Sequence, residues 1–591
     1  MLITLWTPRQ RKANLLPLFI PSSVPLMILS VLPLSGWIQI ALLVLILIGL
    51  GKPIGAYMAH ILSGETVFLT PVIAPLERLI YCLCRIDPDE EMSAVRYFKA
   101  FLAFTFISFL ALFFMMLWQI FPDVSPALAL ESSISLITGT DWQPIPPETT
   151  YTNLTQQYGF AVQNFLSCSV AVVFMAVMAR GFARTDQEDK LGNFWTDITR
   201  FTLYVLLPLS LIFGVFLVSQ GVVMSFSETV SFTTLETDTP RLIPIGPIAS
   251  QVAIKQLGTN GGGYFMANAA HPFENPTPLS DFTQIIALLL IPTASVFAFG
   301  DLVRAKRQSW MLLSTMLVIF IPAVILIVAI EHADNPFLES LGIHSALGNM
   351  EGKELRFSAA ESALFAAAAG ATSGGALNSS LDSFMPLGSL IPLFLMQLGE
   401  LIFGGGGTGV CNLVMYALFA VFTASLMIGR SPQYLGKRIG ISEMKMVAGL
   451  IIIPPLLTLT GTALAVMCEA GQSGAVHEGA QGFSQILYAF TSATNNNGSS
   501  MGGINANSNF YHITLSIAML LGRVGALGVT TGLAHALAKQ KVQAKTDGVL
   551  KTETPFFVFF LILILFLSML TYLPSLAIGP VVEHITLGGN L

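Results

Sequence analysis

Apolar runs long enough to cross a lipid bilayer recur from one end of this 591-residue chain to the other. Read against their flanking charges, about ten spans lie near 36–59, 98–119, 160–183, 201–222, 282–303, 310–331, 387–429, 446–468, 509–537 and 555–578. In hydrocarbon every backbone N–H and C=O must be satisfied within the protein, so such runs fold as helices. The expected class is an all-α integral membrane protein. With 53% hydrophobic residues, 10% charged residues and a mean hydropathy of +0.72, little is left for a soluble catalytic domain. Membrane lipid is the expected surrounding. The net charge of -6 is spread thinly and no basic stripe carries interleaved aromatics, which excludes nucleic acid as a partner. Cys82, Cys84, Cys168, Cys411 and Cys468 have neither zinc-like nor disulfide-framework spacing and read as small apolar residues.

Two regions are expected. Residues 1–35 form an N-terminal extension in which Arg9, Arg11 and Lys12 precede a stretch broken by Pro17, Pro21, Pro25 and Pro33, so a straight spanning helix is disfavoured. Residues 36–591 form the membrane domain. Within it the run 387–429 is too long for one straight crossing and is interrupted by Gly404, Gly405, Gly406, Gly407, Thr408 and Gly409. That pattern suits a broken helix whose freed backbone groups face water or an ion, and Gly404 to Gly407 are a candidate gate.

Lysine and arginine concentrate in alternate loops: Arg180, Arg184, Lys190 and Arg200; Arg304, Lys306 and Arg307; Arg430, Lys437, Arg438 and Lys445; Lys539, Lys541, Lys545 and Lys551. These loops are expected on the cytoplasmic side. The intervening segments 120–159 and 469–508 contain neither residue, and the other two carry only Arg241, Lys255, Lys353 and Arg356.

Each outward segment holds a helix-like run followed by a cluster of Gly, Ser, Thr and Asn, near 131–143, 250–266, 361–380 and 484–503. Any one such cluster could be an ordinary turn, but four in corresponding positions make an internal repeat. A dehydrated monovalent cation needs a ring of oxygen dipoles, and backbone carbonyls provide one where small residues let the chain extend toward an axis. Helices ending at the loops would turn their negative ends toward the ion. Four helix–pore loop–helix repeats around a cation-selective pore are therefore expected. The run GGGGTG at 404–409 lacks the lysine and strand–turn–helix context of a phosphate-binding loop, and no DKTGT or G-x-x-x-x-G-K-[ST] run occurs. No nucleotide is expected on this chain, and no catalytic constellation is visible.

At GTNGGGYFMANAAHPFENPTPL (258–279) the chain resembles the potassium-binding A subunit of the Kdp potassium-transporting ATPase (KdpA). The likeness continues through NMEGKELRF (349–357), MIGRSPQYLG (427–436) and NNNGS (495–499), and covers nearly everything after residue 36. It implies a potassium channel-like transporter fold with an extra helix at each end. It also implies a K⁺-translocating subunit of an ATP-driven uptake complex in a bacterial plasma (inner) membrane. The partners would be a P-type ATPase catalytic subunit that hydrolyses ATP, and small accessory subunits. Carried over by motif, the K⁺ filter comprises Thr138, Gly139 and Thr140; Thr259, Asn260 and Gly261; Ser373, Gly374 and Gly375; and Asn495, Asn496, Asn497 and Gly498, with Gln143 supporting the first loop. Gly139 and Gly374 depart from the family pattern, standing where asparagine is usual and where cysteine can occur. A self-sufficient K⁺ channel, an ion-coupled symporter of the same fold, and a membrane scaffold for an ATPase are the alternatives.

Arg523, inside the ninth run, is expected to be a pore charge, against a purely structural pairing with carbonyls of another repeat. Glu361 and Glu131 read as complements to helix N-termini, and together with Glu400 and Asp141 they stay outside the site. His271 and His477 read as surface or turn residues.

Overall fold

The computed structural model describes residues 34–119, 124–234, 240–333, 335–343, 347–542 and 554–589. The expected N-terminal extension lies outside them except for its last two residues, as do Lys545 and Lys551. Ten helices among the described residues are long and apolar enough to cross a membrane: Gly36–Leu62, Ala94–Leu117, Thr155–Ala183, Phe194–Ser219, Pro278–Leu302, Lys306–His332, Thr408–Ile428, Ile441–Met467, Asn509–Ala538 and Phe556–Leu587. Spans two to nine form four pairs, each enclosing a short helix that ends at one of the expected loops. These are the pore helices Pro126–Thr138, Ile248–Gly258, Ala359–Ala371 and Gly479–Thr494.

Burial separates inner from outer spans. The second span of each repeat is buried over 83, 83, 67 and 44% of its apolar window, the first over only 22, 39, 50 and 22%. Leu45, Ile107, Leu211, Ile452 and Ile562 are all more than half exposed, as expected of side chains whose solvent is lipid. Within the bundle, Val172 to Ala179 of span three and Leu288, Leu289, Ile291 and Ala294 of span five belong to one continuous core. Span one packs along span five, where Gly55 is so close that a Cβ would lie 2.5 Å from the Ala294 carbonyl oxygen.

The seventh run is split, but not where the glycines alone predict. Its first piece is the helix Pro386–Gln397, its second Thr408–Ile428, and the break runs from Leu398 to Gly407. Thr408 and Gly409 belong to the helix, because Gly407 precedes its first turn. Two elements that do not cross the membrane were not expected. One is the amphipathic helix Thr70–Cys84, fastened to span four by buried Glu77, which accepts from Arg200 Nε (2.9 Å) and Tyr204 Oη (2.6 Å) and also from Tyr81 Oη of its own helix (2.8 Å). The other is an antiparallel hairpin, Thr229–Thr233 with Pro240–Pro244, in register Thr229 to Pro244 and Ser231 to Leu242. Cys168 and Cys411 are buried, whereas Cys82, Cys84 and Cys468 are exposed, and all five are free thiols.

Candidate functional site: a four-loop filter

Each pore helix ends at its polar loop. In the first, Ser125 caps the N-terminus by accepting from Leu128 N, and Gly139 closes the C-terminus at φ +76, its N–H donating to Leu136 and Ser135 carbonyls. That left-handed turn suits glycine, so the departure from asparagine at this position brings no backbone strain. The second helix closes through Thr259 at φ +53, a conformation that a β-branched residue rarely adopts. The third begins with a capping box between Ser358 and Glu361 and ends before Thr372; the fourth ends before Asn495. All four C-terminal dipoles therefore lead into the predicted loops.

The loops meet. A Cβ placed on Gly261 would lie 2.4 Å from the Thr140 carbonyl oxygen, 2.6 Å from that of Asn497 and 3.0 Å from Gly498 Cα. One on Gly375 would lie 2.5 Å from the Asn497 oxygen, and one on Gly498 only 1.8 Å from that of Thr140. Backbone from all four repeats thus converges on one small volume, where only bare glycine fits. Gly375 N donates to the Asn497 oxygen (2.8 Å), tying the third loop to the fourth. Gly374 packs against span five, where a Cβ would meet Leu288 Cδ1 at 2.2 Å, so a larger residue there would require Leu288 to move.

Side chains brace this backbone. Thr138 Oγ1 contacts Thr140 Oγ1 (2.8 Å) and donates toward the Ile134 and Ser135 carbonyls. Asn496 Nδ2 donates to Thr140 Oγ1 (2.9 Å) and Met519 O (3.0 Å). Asn497 Nδ2 donates to Ala369 O (2.7 Å) and Thr372 O (2.8 Å). Asn260, with its amide oriented to satisfy both ends, donates to Asn164 O (3.1 Å) and accepts from Ser167 Oγ (2.9 Å). Asn495 Nδ2 turns back to Thr491 O (2.9 Å).

Gln143 works differently from expectation: it reaches across to the second loop, where Nε2 donates to Gly263 O (2.8 Å) and Oε1 accepts from Gly263 N (3.1 Å). The second loop has a further clamp that periodicity does not reveal. Lys255 and Glu274, both with fully buried side chains, form an ion pair. Lys255 Nζ also donates to Gly262 O (3.1 Å), and Glu274 Oε1 accepts from Phe265 N (2.9 Å).

Beneath the fourth loop lies a cavity of about 50 Å³ lined by Thr494, Asn495, Asn496, Glu400 and Arg523. Arg523 lines this cavity, and its Nη2 donates to the Ser167 carbonyl in another repeat (2.9 Å), which is the structural pairing weighed for it. Ser167 lies within span three, not at a helix end. The break in span seven folds under the third loop. Gly404 N donates to Ala371 O (3.1 Å), Gly405 N to Thr408 Oγ1 (3.0 Å), and Thr408 Oγ1 in turn to Glu400. A Cβ on Gly407 would lie 2.7 Å from the Ala171 carbonyl oxygen.

The carboxylates divide. Glu361 caps its helix as expected and also accepts from Gln39 Nε2 (3.0 Å). Glu131 does not cap, since Ser125 holds that position; it is buried and pairs with His512 Nδ1. Glu400 lines the lower cavity. His271 stacks on Phe265 (3.6 Å between centroids), and His477 contacts Asp382 (3.2 Å).

The family model for the potassium-transporting ATPase A subunit matches residues 41–585. A potassium-transporting ATPase potassium-binding subunit of Sorangium cellulosum is 45% identical, over 93% of this chain and 99% of that protein. One from Dechloromonas aromatica is 44% identical with the same coverage. Among solved structures, the potassium transporter TrkH of Vibrio parahaemolyticus superposes with a TM-score of 0.50 at 14% identity, over 81% of this chain and 96% of that one. The shared fold is the four-repeat pore-loop architecture described above, and with a family match that spans nearly its whole length, this chain belongs to the potassium-transporting ATPase A subunit (KdpA) family.

Proposed function

We propose that this chain binds K⁺ at the four converging loops and translocates it as the potassium-binding subunit of an ATP-driven uptake complex in a bacterial inner membrane. ATP is hydrolysed by a separate P-type ATPase subunit, small accessory subunits complete the assembly, and no nucleotide binds this chain. The observation that carries the reading is the approach of Thr140, Gly261, Gly375, Asn497 and Gly498 backbone to one another at the ends of four pore helices. Carbonyl and helix dipoles there replace part of a cation's hydration, and no carboxylate of the ring holds the ion too tightly for release. The wider filter comprises Thr138, Gly139, Thr259, Asn260, Ser373, Gly374, Asn495 and Asn496, with Gln143 as a brace. Arg523 limits cation occupancy below the filter, and the break at Gly404 to Gly407 is the gate.

Reconstitution into vesicles tests the assignment. K⁺ uptake that requires ATP and the ATPase partner is the expected result. Passive K⁺ flux through the chain alone, at a rate matching uptake, would replace the pump-subunit reading with a self-sufficient channel.

A further inference from the structure

Beside the filter, between the first two pore helices and span three, lies a cavity of about 20 Å³ whose wall includes Asp141, Asn164, Gln251, Gly261 and Gly263. That is room for one water molecule or one dehydrated monovalent cation. Its chemistry is one-sided. Asp141 is 3% exposed, held at φ +54 immediately after the first loop, and neither carboxylate oxygen has a hydrogen-bond partner. Asn164 Oδ1 and Gln251 Oε1, both buried, also lack donors. Buried polar oxygens without donors are costly unless something compensates them, and an ionised carboxylate is more so.

Nearby groups do not provide that compensation. Lys255, the nearest cation, is committed to Glu274 and Gly262 O. Trp142 also lines the cavity and its Nε1 is unpaired, but a single neutral N–H does not balance a carboxylate charge or serve four donor-less oxygens. Tyr151, whose hydroxyl burial pushes up to about 12, contacts Ser132 Oγ (3.0 Å). Glu131 is spent on His512. A single water would donate only two protons and leave the carboxylate charge in place. A divalent ion would bring a second positive charge that one carboxylate does not balance.

We infer that this cavity is a second, off-axis site for one monovalent cation, K⁺ or Na⁺. Asp141 is its charged ligand, and Asn164 Oδ1 and Gln251 Oε1 are its neutral ones. The bound ion ties the first loop to the second pore helix and to span three, and so stiffens one quarter of the filter from behind.

This inference extends the filter reading but is separable from it. The test is an anomalous difference map of the full chain in its complex, soaked in Tl⁺, for the native protein and for Asp141→Asn. The expected result is a peak against Asp141, distinct from peaks on the pore axis, that disappears in Asp141→Asn while the axial peaks stay. Axial peaks with no peak at Asp141 in the native protein would overturn the inference, as would a peak that persists in the variant. Should Asp141→Asn fail to fold, Gln251→Leu, which keeps the carboxylate and removes a neutral ligand, is expected to weaken the same peak; an undiminished peak there removes Gln251 from the site. Missing axial peaks would count against the filter assignment alone.

Discussion

Replacing Gly261 by alanine adds one methyl group where the first, second and fourth loops of the proposed filter meet. That carbon would sit 2.4 Å from the Thr140 oxygen and 2.6 Å from the Asn497 oxygen. Carbon and oxygen meet comfortably at about 3.3 Å, so the walls must part by roughly 0.7–0.9 Å. Inserting a methyl into a packed site costs about 1–3 kcal/mol. The displaced atoms are those proposed to face the ion, so the cost falls on the K⁺-bound state. The K⁺ concentration for half-activation should then rise about 5- to 160-fold. The assay is K⁺-dependent ATPase activity of the assembled complex, with Gly449→Ala as a control of identical chemistry in span eight, where a Cβ meets nothing within 4 Å. Gly261→Asp, which adds an anion as well as bulk, should shift half-activation further and alter discrimination against Rb⁺. Unchanged ion dependence in a well-assembled Gly261→Ala complex would refute the four-loop filter.

Gln143→Leu removes both bonds to Gly263 and leaves a backbone pair unsatisfied, at about 1–3 kcal/mol; half-activating K⁺ should rise at least about fivefold, and an unchanged value would make the brace dispensable. Lys255→Met strands Glu274 in the interior and should destabilise by about 3–5 kcal/mol, read as a lower thermal midpoint, with partial recovery in Lys255→Met/Glu274→Gln; equal losses in single and double variants would show that the pair is not coupled. Burial raises the Glu77 carboxyl, but hydrogen bonds from Tyr204, Arg200 and Tyr81 outweigh it and hold it below the usual range. Its stabilising contribution is present above the unfolded value of about 4.3 and is lost as pH falls through the lowered one. Hydrogen exchange in 70–84, corrected for intrinsic rate, should accelerate there, and Glu77→Gln should abolish that acceleration. Arg523→Gln should change half-activating K⁺ by more than about threefold, as expected for loss of a charge in a low-dielectric cavity; no change would leave only its bond to Ser167.

How much of this was legible in the sequence follows from the range of each interaction. Spans and pore helices are local patterns of apolarity and capping, so their number and order could be read directly, to within a few residues at most ends. The loops were legible because clusters of Gly, Ser, Thr and Asn occur four times in corresponding positions, which ordinary turns do not require. The partners of Gln143 and Glu131 were not, since Gly263 is 120 positions away and His512 381. A glutamate six residues into a helix resembles a cap in sequence and becomes a buried pair only when another repeat brings a histidine to it. Lys255 and Glu274 look like ordinary loop charges until the fold closes over both. The start of the break at Leu398 was less plain, because Leu401, Ile402 and Phe403 are as apolar as the helices on either side and only Gly399 and Glu400 interrupt the run.

The braces between loops are all different: Asn496 to Thr140, Asn497 to Ala369 and Thr372, Gln143 to Gly263, Gly375 to Asn497. A pore assembled from four identical subunits must repeat every alteration four times around its axis. Here a single codon change alters one wall and leaves three standing, so the ring can be tuned in quarter steps. An ion held as proposed would meet a lopsided cage, in which a residue of one repeat sets the position of a carbonyl in the next.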